Sequence, residues 1–334
     1  MASACRPRVL VIGAGALGSV YGACLARAGL AVTLLGREAH ARAVREQGGL
    51  TVADTSGESW KVHLAAEWRA EAVGEHEVVV LLTKSHDSRA ALAALEHVRG
   101  NVQVAVSLQN GVQKDRILAD WCGAERVIGG MSMVGATLEA PGVVQRSLAG
   151  ATYLGELPTG LSDRCDWLVQ RLEDGGMKAI QCPAMLAAEW AKLIHAAPVM
   201  SLTATSHRPL HEVLLDGELS RHYVDAVREG MAVAAAAGID VPDFPGLFPV
   251  RKIAHAPSPE AAVELVHARG RQLSASGATR VRISMLVDLE RGRRLELEAV
   301  HGFLVSEAQR LGVEVPVTRA DLAALERVSA AGIR

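Results

Sequence analysis

Gly13, Gly15 and Gly18 form a G-x-G-x-x-G turn, Gly13-Ala14-Gly15-Ala16-Leu17-Gly18, and the chemistry of such a turn is to bring backbone N–H groups against phosphate. Gly13 permits the tight bend, Gly15 lets the main chain approach a pyrophosphate, and Gly18 lets the next helix pack close to its strand. Ala14, Ala16 and Leu17 complete the cradle, and the helix start adds unpaired donors and a positive dipole end. About 20 residues further on, NAD-binding turns carry an acidic residue for the ribose 2′-hydroxyl. This chain has Gly36 and then Arg37 there. A guanidinium fork accepts a 2′-phosphate that a carboxylate would repel, so NADP is favoured over NAD. Lys84 and Asn110 follow two other apolar runs and are candidates by position. His207 and His211, four apart, invite a metal reading. Pro209 between them argues against a regular helix and no carboxylate or cysteine pattern joins them, so a structural or surface role is expected and no metal site.

These residues need elements to hold them. Val9-Leu10-Val11-Ile12 before the glycine turn is a buried strand, and Ser19 to Ala28 after it fits a helix. A second strand, Ala31 to Leu35, leads to Arg37, and Glu38 suits the first turn of the following helix. Leu50 to Leu64 reads as irregular strand pairs around Gly57. Glu77 to Leu82 leads into Thr83-Lys84-Ser85, and Gln103 to Ser107 leads into Leu108-Gln109-Asn110-Gly111. Both polar endings fall at carboxyl ends of strands in an alternating β/α pattern, where open parallel sheets bind ligands. Short strands follow (Val127 to Met133, Val143 to Ser147, Thr152 to Gly155), then a helix from Ser162 to Glu173 and a strand from Lys178 to Cys182. Beyond Pro183 the period is helical: Ala184–Ala197, Glu212–Ala237, Pro259–Leu273, Ser284–Glu290, Glu296–Leu311 and Arg319–Val328. Thr318 with Asp321 reads as the start signal of the last helix. Pro242 to Pro259 reads as an ordered surface loop. The expected architecture is an α/β Rossmann-type N-terminal domain over residues 1–182 and an all-α C-terminal domain over 183–334.

The chain is 334 residues long, enough for two domains, and 49% hydrophobic. Its formal charge of −2 gives no basic surface for nucleic acid or anionic membrane. Five scattered cysteines (Cys5, Cys24, Cys122, Cys165, Cys182) read as reduced thiols. The first apolar run stops at Gly13, so no signal peptide is expected, and no run of about 18 apolar residues exists to span a membrane. A cytoplasmic protein follows from these readings. The apolar helical half offers surface for a homodimer, but nothing in the sequence specifies one.

Over nearly its full length the chain resembles the ketopantoate reductases (2-dehydropantoate 2-reductases). The family's glycine turn matches Gly13 to Gly18, its 2′-phosphate arginine Arg37, its cofactor lysine Lys84 and its Asn-Gly pair Asn110-Gly111. The family's Trp-x-Lys is Trp190-Ala191-Lys192, its Ser-Met-Leu-x-Asp is Ser284-Met285-Leu286-Val287-Asp288, and its glutamate twelve residues after that serine is Glu296. Ala136, in a Gly135-Ala136-Thr137 turn, lies where the family's backbone meets the cofactor. The resemblance implies reduction of a 2-oxo acid by NADPH, in the family ketopantoate to pantoate for pantothenate biosynthesis. It implies Lys192 as proton donor, Glu296 on a substrate hydroxyl or the cofactor ribose and steering Lys192, Ser284 on the substrate's carboxylate or hydroxyl, and Asn110 between substrate and nicotinamide.

One part departs. The family's substrate-holding asparagines four and eight residues after the lysine are here Ala196 and Met200, and His301 stands where an asparagine is common. Lys192, Ala196 and Met200 share one helical stripe, while His195 points about 100° away and only partly compensates. Pro198 is expected to kink or end this helix beside the site. Lost amides favour a less hydroxylated 2-oxo acid or another carbonyl substrate as an alternative. A non-catalytic NADP-sensing module is the other alternative, and it would need neither Lys192 nor Glu296.

Overall fold

Alternate residues of the apolar runs face opposite layers, which is why the strands read as continuous hydrophobic stretches. Val9, Val11, Val78 and Val80 belong to one core; Leu10, Ile12, Val79 and Leu81 belong to the other. The computed structural model describes residues 7–275 and 282–331. It divides into two units, the first ending at Leu186 and the second beginning at Ala187.

The first unit holds strands β1 (Arg8–Ile12), β2 (Ala31–Leu35), β3 (Leu50–Ala53), β4 (Ser59–Val62), β5 (Ala65–Glu67), β6 (Val78–Leu81), β7 (Val104–Ser107), β8 (Val127–Ser132), β9 (Gly135–Ala140), β10 (Val143–Leu148), β11 (Thr152–Gly155) and β12 (Ala179–Gln181). Its helices are α1 (Ala16–Arg27), α2 (Glu38–Glu46), α3 (Ser88–Ala93), α4 (Lys114–Cys122) and α5 (Asp163–Asp174). The main sheet runs β12-β11-β8-β7-β6-β1-β2-β5. It is parallel from β5 to β8, and β11 then runs antiparallel to β8. The strand order reverses at the β1/β6 boundary, the place where such sheets leave a crevice outside their carboxyl ends. A smaller sheet, β4-β3-β10-β9, packs its apolar residues Leu50, Val52 and Val144 into the core that α1 shares.

The second unit is helical: α6 (Met185–Ser206, starting in the first unit), α7 (Leu210–Leu215), α8 (Gly217–Ala236), α9 (Val250–Ala254), α10 (Pro259–Ala275), α11 (Ser284–Glu290), α12 (Phe303–Leu311) and α13 (Pro316–Ala331). No helix among the described residues is long and apolar enough to cross a membrane. Cys24, Cys122, Cys165 and Cys182 are buried free thiols. Cys5 lies outside the described residues.

Several elements differ from the sequence reading. Gly135 to Thr137 is not a turn but the start of β9, with Ala136 paired to Arg146. The long helix expected over Glu212–Ala237 is two, because Asp216 caps α8 by accepting from the N–H groups of Glu218 and Leu219. The loop from Pro242 contains α9. Pro198 does not end α6, since the helix continues to Ser206. Burial of Ala197, Val199, Met200 and Leu202 outweighs the roughly 3 kcal/mol cost of an interior proline. Hydroxyls of Thr203 and Thr205 also donate to the carbonyls of Val199 and Ser201. Thr318 and Asp321 do not start α13, which begins at Pro316. Its first turn is held by the Glu229 carboxylate of α8, which accepts from the backbone N–H groups of Val317 and Thr318 and from the Thr318 hydroxyl. Asp321 instead accepts from Ser201 and bonds His222, joining α6, α8 and α13.

Candidate functional site

The glycine turn connects β1 to α1 at the switch point, and its three glycines meet three different surroundings. Gly13 has φ +98°, and a Cβ on it would stand 2.3 Å from the Thr83 backbone nitrogen. A Cβ on Gly18 would stand 2.2 Å from the Gly13 carbonyl oxygen. Around Gly15 there is nothing within 4 Å. Two of the glycines are therefore demanded by the fold, and the third leaves bare backbone facing open space at a helix N-terminus. That is the cradle a pyrophosphate needs, so the residues present fit a dinucleotide. The N–H groups of Gly13 and Ala14 are spent on the Leu35 carbonyl, which locks the turn to β2. Ala16 and Leu17 open α1 and carry the first-turn N–H groups that lack helical acceptors.

Arg37 follows β2, caps α2 and is exposed. Lys84 follows β6, which neighbours the glycine turn's strand, and Asn110 follows β7, one strand further on, so both lie at the carboxyl edge of the sheet. A residue the sequence did not single out ties these two loops together. Gln109 is buried, and its amide nitrogen donates to the Thr83 carbonyl (2.6 Å), the Thr83 hydroxyl (3.0 Å) and the Ser88 hydroxyl (2.8 Å). Its amide oxygen accepts from Ser107 at 3.1 Å. Only its place at an apolar strand's polar end hinted at this. Four residues beyond Asn110, Lys114 and Asp115 form a buried pair at 2.7 Å that sequence reasoning also passed over. Ala136 lies on β9 of the smaller sheet, a strand that packs against α1.

In the helical unit, α6 is buried almost all round, and Lys192 is half-buried between Ala191, Leu193 and Ile194, all of which are buried. One and two turns on, Ala196 is half-buried and Met200 is 6% exposed. Neither side chain offers a hydrogen-bond donor, and only the weakly accepting Met200 sulfur stands in place of two amides. His195 does not replace the missing amides: its Nδ1 bonds the Tyr223 hydroxyl at 2.7 Å and its ring stacks on Phe248 at 3.8 Å. Burial, with smaller effects from the Arg269 and Lys192 charges, lowers its pKa to about 3, so the ring is neutral. Ser284 opens α11, which Met285, Leu286 and Leu289 anchor. Glu296 is half-buried, two residues before a short π-helical turn, Glu298–Gly302. That turn carries His301, which is fully buried and donates from Nε2 to the Ala197 carbonyl at 2.9 Å. Its Nδ1 has no partner, and burial holds its pKa below the ordinary value. His207 is exposed with φ +56°, and His211 lies in the first turn of α7. No group of three or more metal-ligating side chains occurs among the described residues.

Comparison with known proteins follows the same division. Residues 9–159 match the family model of ketopantoate reductase PanE/ApbA, and residues 184–328 match that of its C-terminal part. The 2-dehydropantoate 2-reductase of Halobacterium salinarum is 31% identical over 321 residues, covering 95% of this chain and 98% of that protein. The enzyme of the same name from Archaeoglobus fulgidus is 30% identical over 312 residues, covering 93% and 94%. The crystal structure of a PanE/ApbA family ketopantoate reductase from Ralstonia eutropha superposes with a TM-score of 0.81 at 25% identity, covering 97% and 99%.

Proposed function

The chain belongs to the ketopantoate reductase family, a family of oxidoreductases, and from that premise we propose that it reduces a 2-oxo acid to the 2-hydroxy acid with NADPH. The observation that carries the reading is Lys192, a half-buried lysine whose helix neighbours Ala191, Leu193 and Ile194 are all buried. Bound there, NADPH would supply a hydride to the carbonyl carbon. As charge builds on the carbonyl oxygen, an ammonium there both stabilises it and gives up a proton. Glu296 binds a substrate hydroxyl or the ribose and steers Lys192, Ser284 holds the carboxylate, and Asn110 stands between substrate and nicotinamide. Gly13 to Gly18, Lys84 and the Ala136 backbone hold the cofactor, and Arg37 reads its 2′-phosphate. Exposed, with no carboxylate paired to it among the described residues, Arg37 suits a phosphomonoester.

Ala196 and Met200 favour a second reading, in which the substrate lacks the hydroxyl of ketopantoate. Two missing amides cost a hydroxylated substrate about 0.5–1.5 kcal/mol per hydrogen bond, and more if the hydroxyl is buried unpaired. NADPH oxidation measured against ketopantoate and trimethylpyruvate, which differs only by that hydroxyl, separates the two. The second reading expects kcat/KM at least about tenfold higher for trimethylpyruvate. Higher kcat/KM for ketopantoate returns the assignment to the family's own substrate.

A further inference from the structure

The carboxyl end of β2 has a neighbour whose residues the cofactor reading leaves unused. β5 pairs in parallel with β2, Leu35 opposite Glu67, and the ladder runs one step further as the Gly36 N–H donates to the Glu67 carbonyl at 3.0 Å. Trp68 and Arg69 therefore leave the sheet alongside Gly36 and Arg37. The same edge adjoins the glycine turn, since a Cβ on Gly36 would stand 2.7 Å from the Cβ of Ala14.

Three guanidinium groups surround the Trp68 ring: Arg42 at 5.0 Å, Arg45 at 5.4 Å and Arg69 at 5.9 Å from its centroid. Their partners differ. Arg42 pairs with Glu38 at 2.7 Å and Arg45 with Glu67 at 3.4 Å. Arg69 and Arg37 are exposed and, among the described residues, no carboxylate lies within ion-pair distance of either. Four arginines thus meet two carboxylates, and the unneutralised pair stands at adjacent strand ends beside the dinucleotide turn.

We propose that Arg69, resting on the Trp68 face, is a second guanidinium for the 2′-phosphate of the cofactor, acting with Arg37. A phosphomonoester carries up to two negative charges and three acceptor oxygens, more than one planar fork satisfies. The indole gives the long side chain a resting place, so less freedom is lost when the anion arrives. The chemistry recognised is an adenosine 2′-phosphomonoester, and NADH, lacking it, gains nothing from Arg69. The proposal rests on the NADP reading above.

Calorimetric titration of the full chain and its Arg69→Ala and Arg37→Ala variants with NADPH, NADH and adenosine 2′,5′-bisphosphate tests it. Arg69→Ala weakens NADPH and the bisphosphate by about tenfold and leaves NADH within about twofold, with the thermal midpoint unmoved because the side chain is exposed. Selective loss in Arg37→Ala, with Arg69→Ala either unchanged or equally weaker for NADH and NADPH, overturns the role of Arg69 and leaves the NADP reading standing. If neither variant separates NADPH from NADH, both fail.

Discussion

Gly13 and Gly15 lie two residues apart, yet a methyl group added to each has opposite consequences. At Gly13 it meets Thr83 and Leu82 backbone atoms at 2.3–2.7 Å in a left-handed conformation, so Gly13→Ala destabilises the fold by at least about 2 kcal/mol. At Gly15 it meets nothing, so Gly15→Ala keeps its urea midpoint and instead weakens NADPH binding. Equal urea midpoints for both variants would contradict the division of labour. Such residues were legible because their demands are local: a turn, a strand end, a charge where an acid is usual. The bonds of Gln109 and His301 were not, because their partners are Thr83 and Ser88 in one case and Ala197, 104 residues away, in the other. Lys192, Glu296 and Ser284 are candidates only through the family resemblance, since composition and period alone leave a lysine on a helix ambiguous.

At the scale of elements, the strands of the main sheet were readable because burial on both faces makes them unbroken apolar runs. The helices were readable in type but not in limits. The break at Asp216 and the passage of α6 through Pro198 depend on a cap and on packing that local pattern does not carry. The start of α13 makes the same point with a test attached. Glu229 satisfies two backbone N–H groups and one hydroxyl at that helix's N-terminus, at 2.7–2.8 Å. Glu229→Ala leaves these without their acceptor and lowers stability by about 1–3 kcal/mol, whereas Glu229→Gln, which keeps one acceptor oxygen, loses less. Equal urea midpoints for the two variants and the parent would show that α13 does not depend on this carboxylate.

For the whole molecule, histidine titration sets a pH window. Burial lowers the pKa of His40, His76, His195 and His301, so the folded state prefers these rings neutral. His40 shows why: Nδ1 accepts from the Gly142 N–H at 3.0 Å and Nε2 bonds the Ser19 hydroxyl at 2.9 Å. Below the ordinary value of 6.5 the unfolded chain takes up protons that the folded one resists, so this stability is present above pH 6.5 and lost as pH falls. His222, raised chiefly by its bond to Asp321, works oppositely, stabilising below pH 6.5 and losing that contribution as pH rises through its raised pKa. Four against one predicts a thermal midpoint that drops as the pH falls from 7 to 5. A midpoint that rises over that range would contradict it. The central claim, that this family member passes a hydride to a 2-oxo acid whose oxygen is protonated by Lys192, is tested most directly by turnover and NADPH affinity in Lys192→Ala. NADPH binding within about threefold of the parent is expected, with a roughly 10²–10⁴-fold fall in kcat for the best 2-oxo acid. Turnover undiminished in that variant would contradict it.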